Sequence, residues 1–361
     1  MTADRRTLEQ LRARARQARE SGRYTVAARL ERQAVERAGA LGWMGERTRA
    51  LLWEGYSLRQ AGEDDLALAA LLQAANERAA PADPADGFSA LIAIIHISLD
   101  RQPFRLCRAL LDQARYHQAD LRRPWSAPLD FLEGELQYRR GEFAAAREWY
   151  SRAWAGWCDV HPRLTAATHL WALCRAAFRR RDMDELTQLT ETLTELDPNS
   201  SLERQLVRRA RLLSWRARRV LHPPEAAPVG LALDVLAAAS QASRDFGARH
   251  EALRVLALAG HWEAVDDALS RFVLEPGHFE SALLPGDLAL NRARAALGLP
   301  AVDDDYGEEP ASLSSLAESA RSWLDAAVAH YRAALPLAEV EDERLETGWH
   351  GAVVRERLAR T

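Results

Sequence analysis

Four side chains that could bind a metal lie close together in the middle of the chain. Cys158, His161, His169 and Cys174 fall within 17 residues, in the order C-x2-H-x7-H-x4-C. Zinc sites use shorter, paired spacings of cysteine and histidine. A buried free cysteine also serves as a small packing residue. We therefore expect neither a metal site nor a bound cofactor.

Other patterns that carry chemistry are also missing from the sequence. No GxSxG nucleophile motif occurs, and the phosphate-binding pattern GxxxxGK[ST] is excluded because all 48 basic residues are arginine. A calcium loop starting at Asp303 would need glycine at its sixth position, where the chain has Glu308. The sequence therefore predicts a protein that is not an enzyme.

Composition excludes several further classes of protein. The chain has 361 residues, 48% of them hydrophobic, and a net charge of -4, so it has no general attraction for nucleic acid. It lacks an apolar run of about 18 residues and an apolar secretory signal, which argues against a membrane protein. Its three cysteines are too few for a disulfide framework. We expect a cytoplasmic globular protein that makes no contact with a membrane.

A pattern of glycines and small residues recurs with a period of about 40 residues. The clearest copies read GRYTVAARLERQA, GEDDLALAALLQA, GEFAAAREWYSRA and GHWEAVDDALSRF, and begin at Gly22, Gly62, Gly141 and Gly260. Weaker copies begin at Gln102 and Arg181, and the period predicts a hidden copy near Ala226. Such repetition is typical of a solenoid built from stacked units.

Each copy has a helical pattern on both sides of its first residue. Apolar residues recur there at spacings of three and four, and a glycine between the two stretches supplies the positive φ that ends a helix. Strand patterns are nearly absent; the apolar run at 91–99 lies where the repeat requires a buried helix. The sequence predicts an all-α fold, an α-solenoid of about seven or eight helical hairpins.

These units resemble the tetratricopeptide repeat (TPR) family. The family places a small residue seven positions before the turn residue and a large one nine after it; the corresponding residues here are Gly55, Gly134 and Cys174, and Leu71, Tyr150 and Leu269. The period departs from the common 34 residues and is similar to that of long repeats in bacterial regulatory proteins. The resemblance implies a right-handed superhelix over residues 1–300, with turns near 22, 62, 102, 141, 181, 226 and 260. An acidic loop and a helical cap would follow at 301–361.

In the TPR family, ligands usually lie in the groove lined by the first helix of each hairpin. Five positions of that helix face the groove: thirteen, ten, six, three and two residues before the turn residue. Among the 30 such positions, nine hold arginine, whereas 48 arginines in 361 residues predict about four. The partner-binding candidates implied by the resemblance are Arg12, Arg16, Arg19, Arg49, Tyr56, Arg59, His96, Tyr138, Arg139, Trp171, Arg175, Arg179, His250 and Arg254.

This groove would suit an acidic peptide or a terminal carboxylate, held by arginine between aromatic rings. We expect a scaffold or adaptor that binds a protein or peptide. One alternative is a regulator that senses a peptide or small ligand; a second is nucleic-acid binding through the arginine-rich helices at 1–37 and 201–221. An arginine face that is merely solvated also remains open.

The C-terminal part carries the opposite charge. Segment 301–346 has a net charge of -9, whereas 1–37 has +5 and 201–221 has +6. Either the segment caps the array, or it folds back onto the arginine-rich face.

Overall fold

The computed structural model of the chain describes residues 3–77, 84–118, 126–158, 163–196, 201–221, 226–239, 246–272, 279–303 and 318–361. These residues form seventeen α-helices and no strand. The helices are α1 (Ala3–Glu20), α2 (Tyr24–Ala40), α3 (Met44–Gln60), α4 (Asp64–Asn76), α5 (Pro84–Ser98), α6 (Phe104–Gln118), α7 (Ser126–Arg139), α8 (Phe143–Cys158), α9 (Arg163–Arg179), α10 (Met183–Glu195), α11 (Ser201–Leu221), α12 (Val229–Ala239), α13 (Phe246–Leu258), α14 (Trp262–Arg271), α15 (Phe279–Ala296), α16 (Glu318–Leu345) and α17 (Trp349–Arg360).

Consecutive helices pack as hairpins, from α1–α2 to α15–α16, and α17 packs on α16. Neighbouring hairpins stack in two ways. Some first helices contact each other, as α3 contacts α5 and α11 contacts α13, and some second helices contact the next first helix, as α2 contacts α3 and α8 contacts α9. The predicted all-α solenoid of about seven or eight hairpins is confirmed. None of the helices in the described part of the chain is long and apolar enough to span a bilayer.

The hairpin turns share one backbone geometry. Gly22, Gly62, Gly141 and Gly260 have φ values between 73° and 85°. In each turn, the N–H of the next residue bonds to a carbonyl five residues back, as Glu142 does to Gln137 at 3.0 Å. This bond caps the end of the first helix.

Close contact inside a hairpin depends on a glycine that faces a large side chain. A Cβ on Gly55 would lie 2.5 Å from Leu71, and one on Gly134 would lie 2.5 Å from the ring of Tyr150. The same arrangement recurs in α15–α16, where a Cβ on Gly286 would lie 2.4 Å from Tyr331. Because this pair spans residue 300, α16 packs as the second helix of a further hairpin. The division of the chain at residue 300 stays a prediction.

The chain end returns to the middle of the solenoid. Leu345, the last residue of α16, is fully buried in one apolar cluster with Leu99, Leu111 and Leu132 of the third and fourth hairpins. In a simple solenoid each unit contacts only its neighbours. The contact at Leu345 therefore closes the array onto itself.

Candidate functional site

The first two hairpins present an arginine and aromatic face, which we call the N-terminal wall. Its members are Arg12, Arg16, Arg19, Arg49, Trp53 and Tyr56. Trp53 is 39% exposed, although it is a large aromatic residue. The guanidinium carbon of Arg19 lies 4.5 Å from the centre of its ring, and the ring of Tyr56 lies 5.8 Å away. Arg16 is exposed one helical turn from both Arg12 and Arg19, so it shares their face.

Two carboxylates neutralise part of this wall. Arg12 pairs with Glu46 at 2.5 Å, and Arg19 pairs with Glu31 at 2.6 Å. Burial raises the pKa of Glu31, against the opposing effect of its hydrogen bond to Arg19. Glu46 also lies 3.6 Å from Arg49. Two of the four arginines thus have a close carboxylate partner, and Arg16 keeps an exposed guanidinium on the wall.

The next three first helices meet in a central ion-pair cluster, formed by Asp100, Glu135, Arg139, Tyr150 and Arg175. Glu135 accepts hydrogen bonds from Tyr150 at 2.7 Å, from Arg139 at 2.7 Å, and from Arg175. Arg139 also donates to Asp100, at 2.6 and 3.0 Å. The cluster therefore ties the end of α5 to α7 and α9.

Every charged member of the central cluster stays ionised. Burial alone would raise the pKa of Glu135, but the charges of Arg175 and Arg139 hold it well below its usual value. Burial also raises the pKa of Asp100, but the charge and hydrogen bond of Arg139, together with neighbouring charges such as that of Arg59, hold it well below its usual value. Two cations and two anions balance, so this part of the first-helix face carries little net charge. Arg175 also lies over the ring of Tyr138, at 4.6 Å.

A histidine and a phenylalanine border this cluster. The ring of His96 lies 6.2 Å from that of Phe131, which in turn lies 4.8 Å from His169. Burial lowers the pKa of His96, and the charge of Arg59 lowers it further. His96 is therefore neutral at neutral pH and adds no charge to the face.

Three of the sequence-predicted residues lie inside the protein. Trp171, His250 and Arg254 are each less than 10% exposed. Trp171 lies under the guanidinium of Arg209, and Arg254 pairs with Asp287 at 3.1 Å. They hold adjacent hairpins together and are not accessible to a partner in this structure. Arg179 lies at the rim instead, with 16% of its side chain exposed and Glu280 3.8 Å away.

Part of the acidic C-terminal segment does pair with a basic helix. Arg216 of α11 is completely buried and donates two hydrogen bonds of 2.7 Å to Asp303, the last described residue before α16. The rest of the acidic loop, at 304–317, lies outside the described residues. Across the described parts of the chain, no group of three or more histidine, cysteine or acidic side chains is arranged for a metal ion.

The residues predicted for the site leave out two features of this surface. Trp53 lies one helical turn from Arg49 and from Tyr56, so it lies at the centre of the exposed face of α3. It is not one of the five groove positions that the TPR resemblance implies. The second is the segment at 344–349, which contacts hairpins more than 200 residues away in sequence. No local pattern could have revealed a contact over such a separation.

Among known proteins, the chain is similar in structure to a solved protein but matches no family model. No protein-family model matches the chain, and no curated protein does. The chain is similar to a Rap protein whose crystal structure is of its complex with Competence and Sporulation Factor. The two share 13% sequence identity with a TM-score of 0.47, over 87% of this chain and 97% of that one. Membership of the TPR family therefore stays a prediction, whereas the helical repeat fold is observed directly.

Proposed function

We propose that this protein is a non-catalytic scaffold or adaptor that binds an acidic peptide segment on the N-terminal wall. The exposed indole of Trp53 beside Arg16, Arg19 and Arg49 carries this proposal. Tryptophan and arginine are the residues that most often dominate binding energy at interfaces. Arginine also binds carboxylates through two parallel hydrogen bonds.

Charge balance favours the wall over the centre of the first-helix face. In the central cluster, Arg139 and Arg175 already donate to Asp100 and Glu135. A partner would have to displace these bonds at a cost, because breaking a desolvated pair leaves a charge without its partner. On the wall, Arg16 is exposed, so an acidic segment can pair with it while the Arg12–Glu46 and Arg19–Glu31 pairs stay in place. An apolar side chain of the same segment would cover Trp53.

The test is a library of acidic peptides displayed against the full chain, followed by affinity measurements on two variants. Arg16→Glu and Trp53→Ala should each weaken the best peptide by about tenfold or more, the equivalent of about 1.4 kcal/mol. Arg29→Glu and Tyr116→Ala are the matched controls, because both residues are exposed on second helices. Equal losses in variants and controls would contradict the proposal.

Affinity measurements with DNA and RNA at several salt concentrations separate this proposal from nucleic-acid binding. Each phosphate contact steepens the fall of affinity with salt, so tight binding of DNA or RNA with a steep slope would favour the alternative. Two arginines of the basic helix α11 already have partners within the protein. Arg216 is buried against Asp303, and Arg219 donates to the carbonyl of Ala301. Fewer of its arginines are therefore available to phosphates.

A further inference from the structure

A short segment between α16 and α17 packs against turns in the middle of the solenoid. We call residues 344–349, with the sequence RLETGW, the C-terminal motif. Arg344 donates to the backbone carbonyls of Leu99 at 2.9 Å and Gln102 at 3.0 Å. The hydroxyl of Thr347 donates to the carbonyl of Arg140 at 3.0 Å. The motif thus bonds to the backbone that ends α5 and α7.

Apolar and charged contacts complete this docking. The side chain of Leu345 is fully buried among residues of α5, α6 and α7. Glu346 pairs with Arg105 at 2.6 Å. The indole of Trp349 covers Gly141, where a Cβ would lie 2.4 Å from its ring, and packs edge-on against Phe143 at 5.4 Å. Five of the six residues of the motif therefore contact this seat, which consists of the α5–α6 and α7–α8 turns and the apolar residues of α5, α6 and α7 around Leu345.

This arrangement has the form of a peptide bound to a receptor. Nearly all contacts come from consecutive residues, and three of the hydrogen bonds go to main-chain carbonyls. One apolar side chain is fully buried and one aromatic ring covers a glycine, and alternate buried side chains with main-chain hydrogen bonds are also how short peptide segments are recognised. A core contact between two helices would instead draw on side chains spaced along their length.

We propose that the seat is a peptide-binding site that its own C-terminal motif fills, and that a partner protein can take it over. The chemistry of the occupant defines the partner: a basic residue followed by leucine, with an aromatic residue four positions after the leucine. When such a segment replaces the motif, α16 and α17 leave the middle of the solenoid and the closed array opens. This surface is separate from the N-terminal wall and does not rest on the function proposed above.

Tethering decides how strongly the resident motif competes. A segment in the same chain acts at an effective concentration of about millimolar, so a free peptide of equal affinity must approach that concentration to displace it. Wild-type protein should therefore bind a copy of the motif weakly. A full chain whose own motif is disabled should bind it well.

The experiment uses a fluorescent synthetic peptide with the sequence of residues 340–351, VEDERLETGWHG, and the full-length chain. The test protein carries Arg344→Ala, Leu345→Ala and Trp349→Ala together. The matched control carries Arg321→Ala and Trp323→Ala, which change exposed residues of the same types on the same helix. A second peptide has alanine in place of the same arginine, leucine and tryptophan.

In fluorescence anisotropy, the test protein should bind the native peptide about tenfold or more tightly than the wild type and the control protein bind it. It should also bind the native peptide about tenfold or more tightly than it binds the alanine peptide. Binding that is equal in all these combinations would overturn the proposal. If the triple variant loses its helical circular dichroism, the titration is made with Trp349→Ala alone, since Trp349 is only half-buried. Absence of sequence-selective binding there would also overturn it.

Two glycine variants then locate the peptide on the seat. Gly141→Ala and Gly260→Ala impose the same backbone strain, because φ is +79° and +77°, but nothing lies within 4 Å of a Cβ on Gly260. Added to the test protein, Gly141→Ala should abolish the selective binding and Gly260→Ala should leave it unchanged. Dimerisation of the wild-type chain through exchange of the motif would overturn the assignment to a foreign partner.

Discussion

Arg181 adopts a backbone conformation that side chains with a Cβ rarely take. Its φ is 59°, and it occupies the turn position that glycine holds in four other hairpins. The same capping bond forms there, from Asp182 N–H to the carbonyl of Ala177 at 3.0 Å. A left-handed backbone conformation costs a non-glycine residue about 1–2 kcal/mol, and a glycine at this position would relieve that cost. Part of the gain would be lost, because glycine has more conformational freedom in the unfolded chain.

We therefore expect Arg181→Gly to raise the free energy of unfolding by about 0.5–1 kcal/mol, measured by urea denaturation. Arg29→Gly, at an exposed position inside α2, should lower it by about 1 kcal/mol, because glycine weakens a helix interior. A loss of stability in both variants would show that the turn at Arg181 carries no strain.

The charge of Glu135 should make stability depend on pH in acid. Its pKa is lower in the folded protein than in the unfolded chain, so its contribution is present above the unfolded pKa of about 4.3 and is lost as pH falls towards the folded value. Glu135→Gln should cost about 3 kcal/mol at pH 7, because it removes the carboxylate that pairs with Arg175 and one of the two carboxylates that pair with Arg139. Unfolding at pH 7 and pH 3 should show a clearly smaller penalty in acid. The same penalty at both pH values would contradict the assigned charge.

At the scale of elements, the repeat pattern predicted the hairpins because it records local requirements. A turn residue with positive φ and a glycine opposite a large ring are both readable within about 20 residues. The α15–α16 hairpin has the same glycine–tyrosine pair, Gly286 and Tyr331, but 45 residues separate them instead of 16. The long connection hid the pair from a search for a period of about 40 residues.

The close approach of α15 and α16 gives a direct test of this hairpin. Gly286→Ala should destabilise the protein by about 1–3 kcal/mol, since its Cβ would meet the buried ring of Tyr331 at 2.4 Å. Gly45→Ala in α3 should instead be neutral or stabilise by up to about 1 kcal/mol, because nothing lies within 4 Å of its Cβ. Thermal unfolding of both variants gives the comparison. A gain of stability at Gly286 would mean that the two helices do not pack this closely.

At the scale of the whole molecule, composition and periodicity predicted the solenoid but not the contact between the end of α16 and the third and fourth hairpins. The arginine count predicted a positive groove, yet Arg139, Arg175 and Arg254 are paired with acids from neighbouring hairpins. Such pairings join side chains at least 33 residues apart, and sequence alone does not fix their geometry. The residues predicted for the site therefore include some that are exposed on the surface and others that pair with acids of a neighbouring hairpin.

Closure also predicts long-range coupling, which a simple solenoid lacks. Leu345 is fully buried with Leu99 and Leu111, so Leu345→Ala should lower the free energy of unfolding by about 2–5 kcal/mol and speed amide hydrogen exchange in α5 and α6. Leu324→Ala, on the same helix, lies in a cluster with α15 and should speed exchange there without affecting α5 or α6. In a chain of units that contact only their neighbours, both substitutions would act near the C-terminus alone. Unchanged exchange in α5 and α6 of the Leu345 variant would therefore show that the array is open in solution.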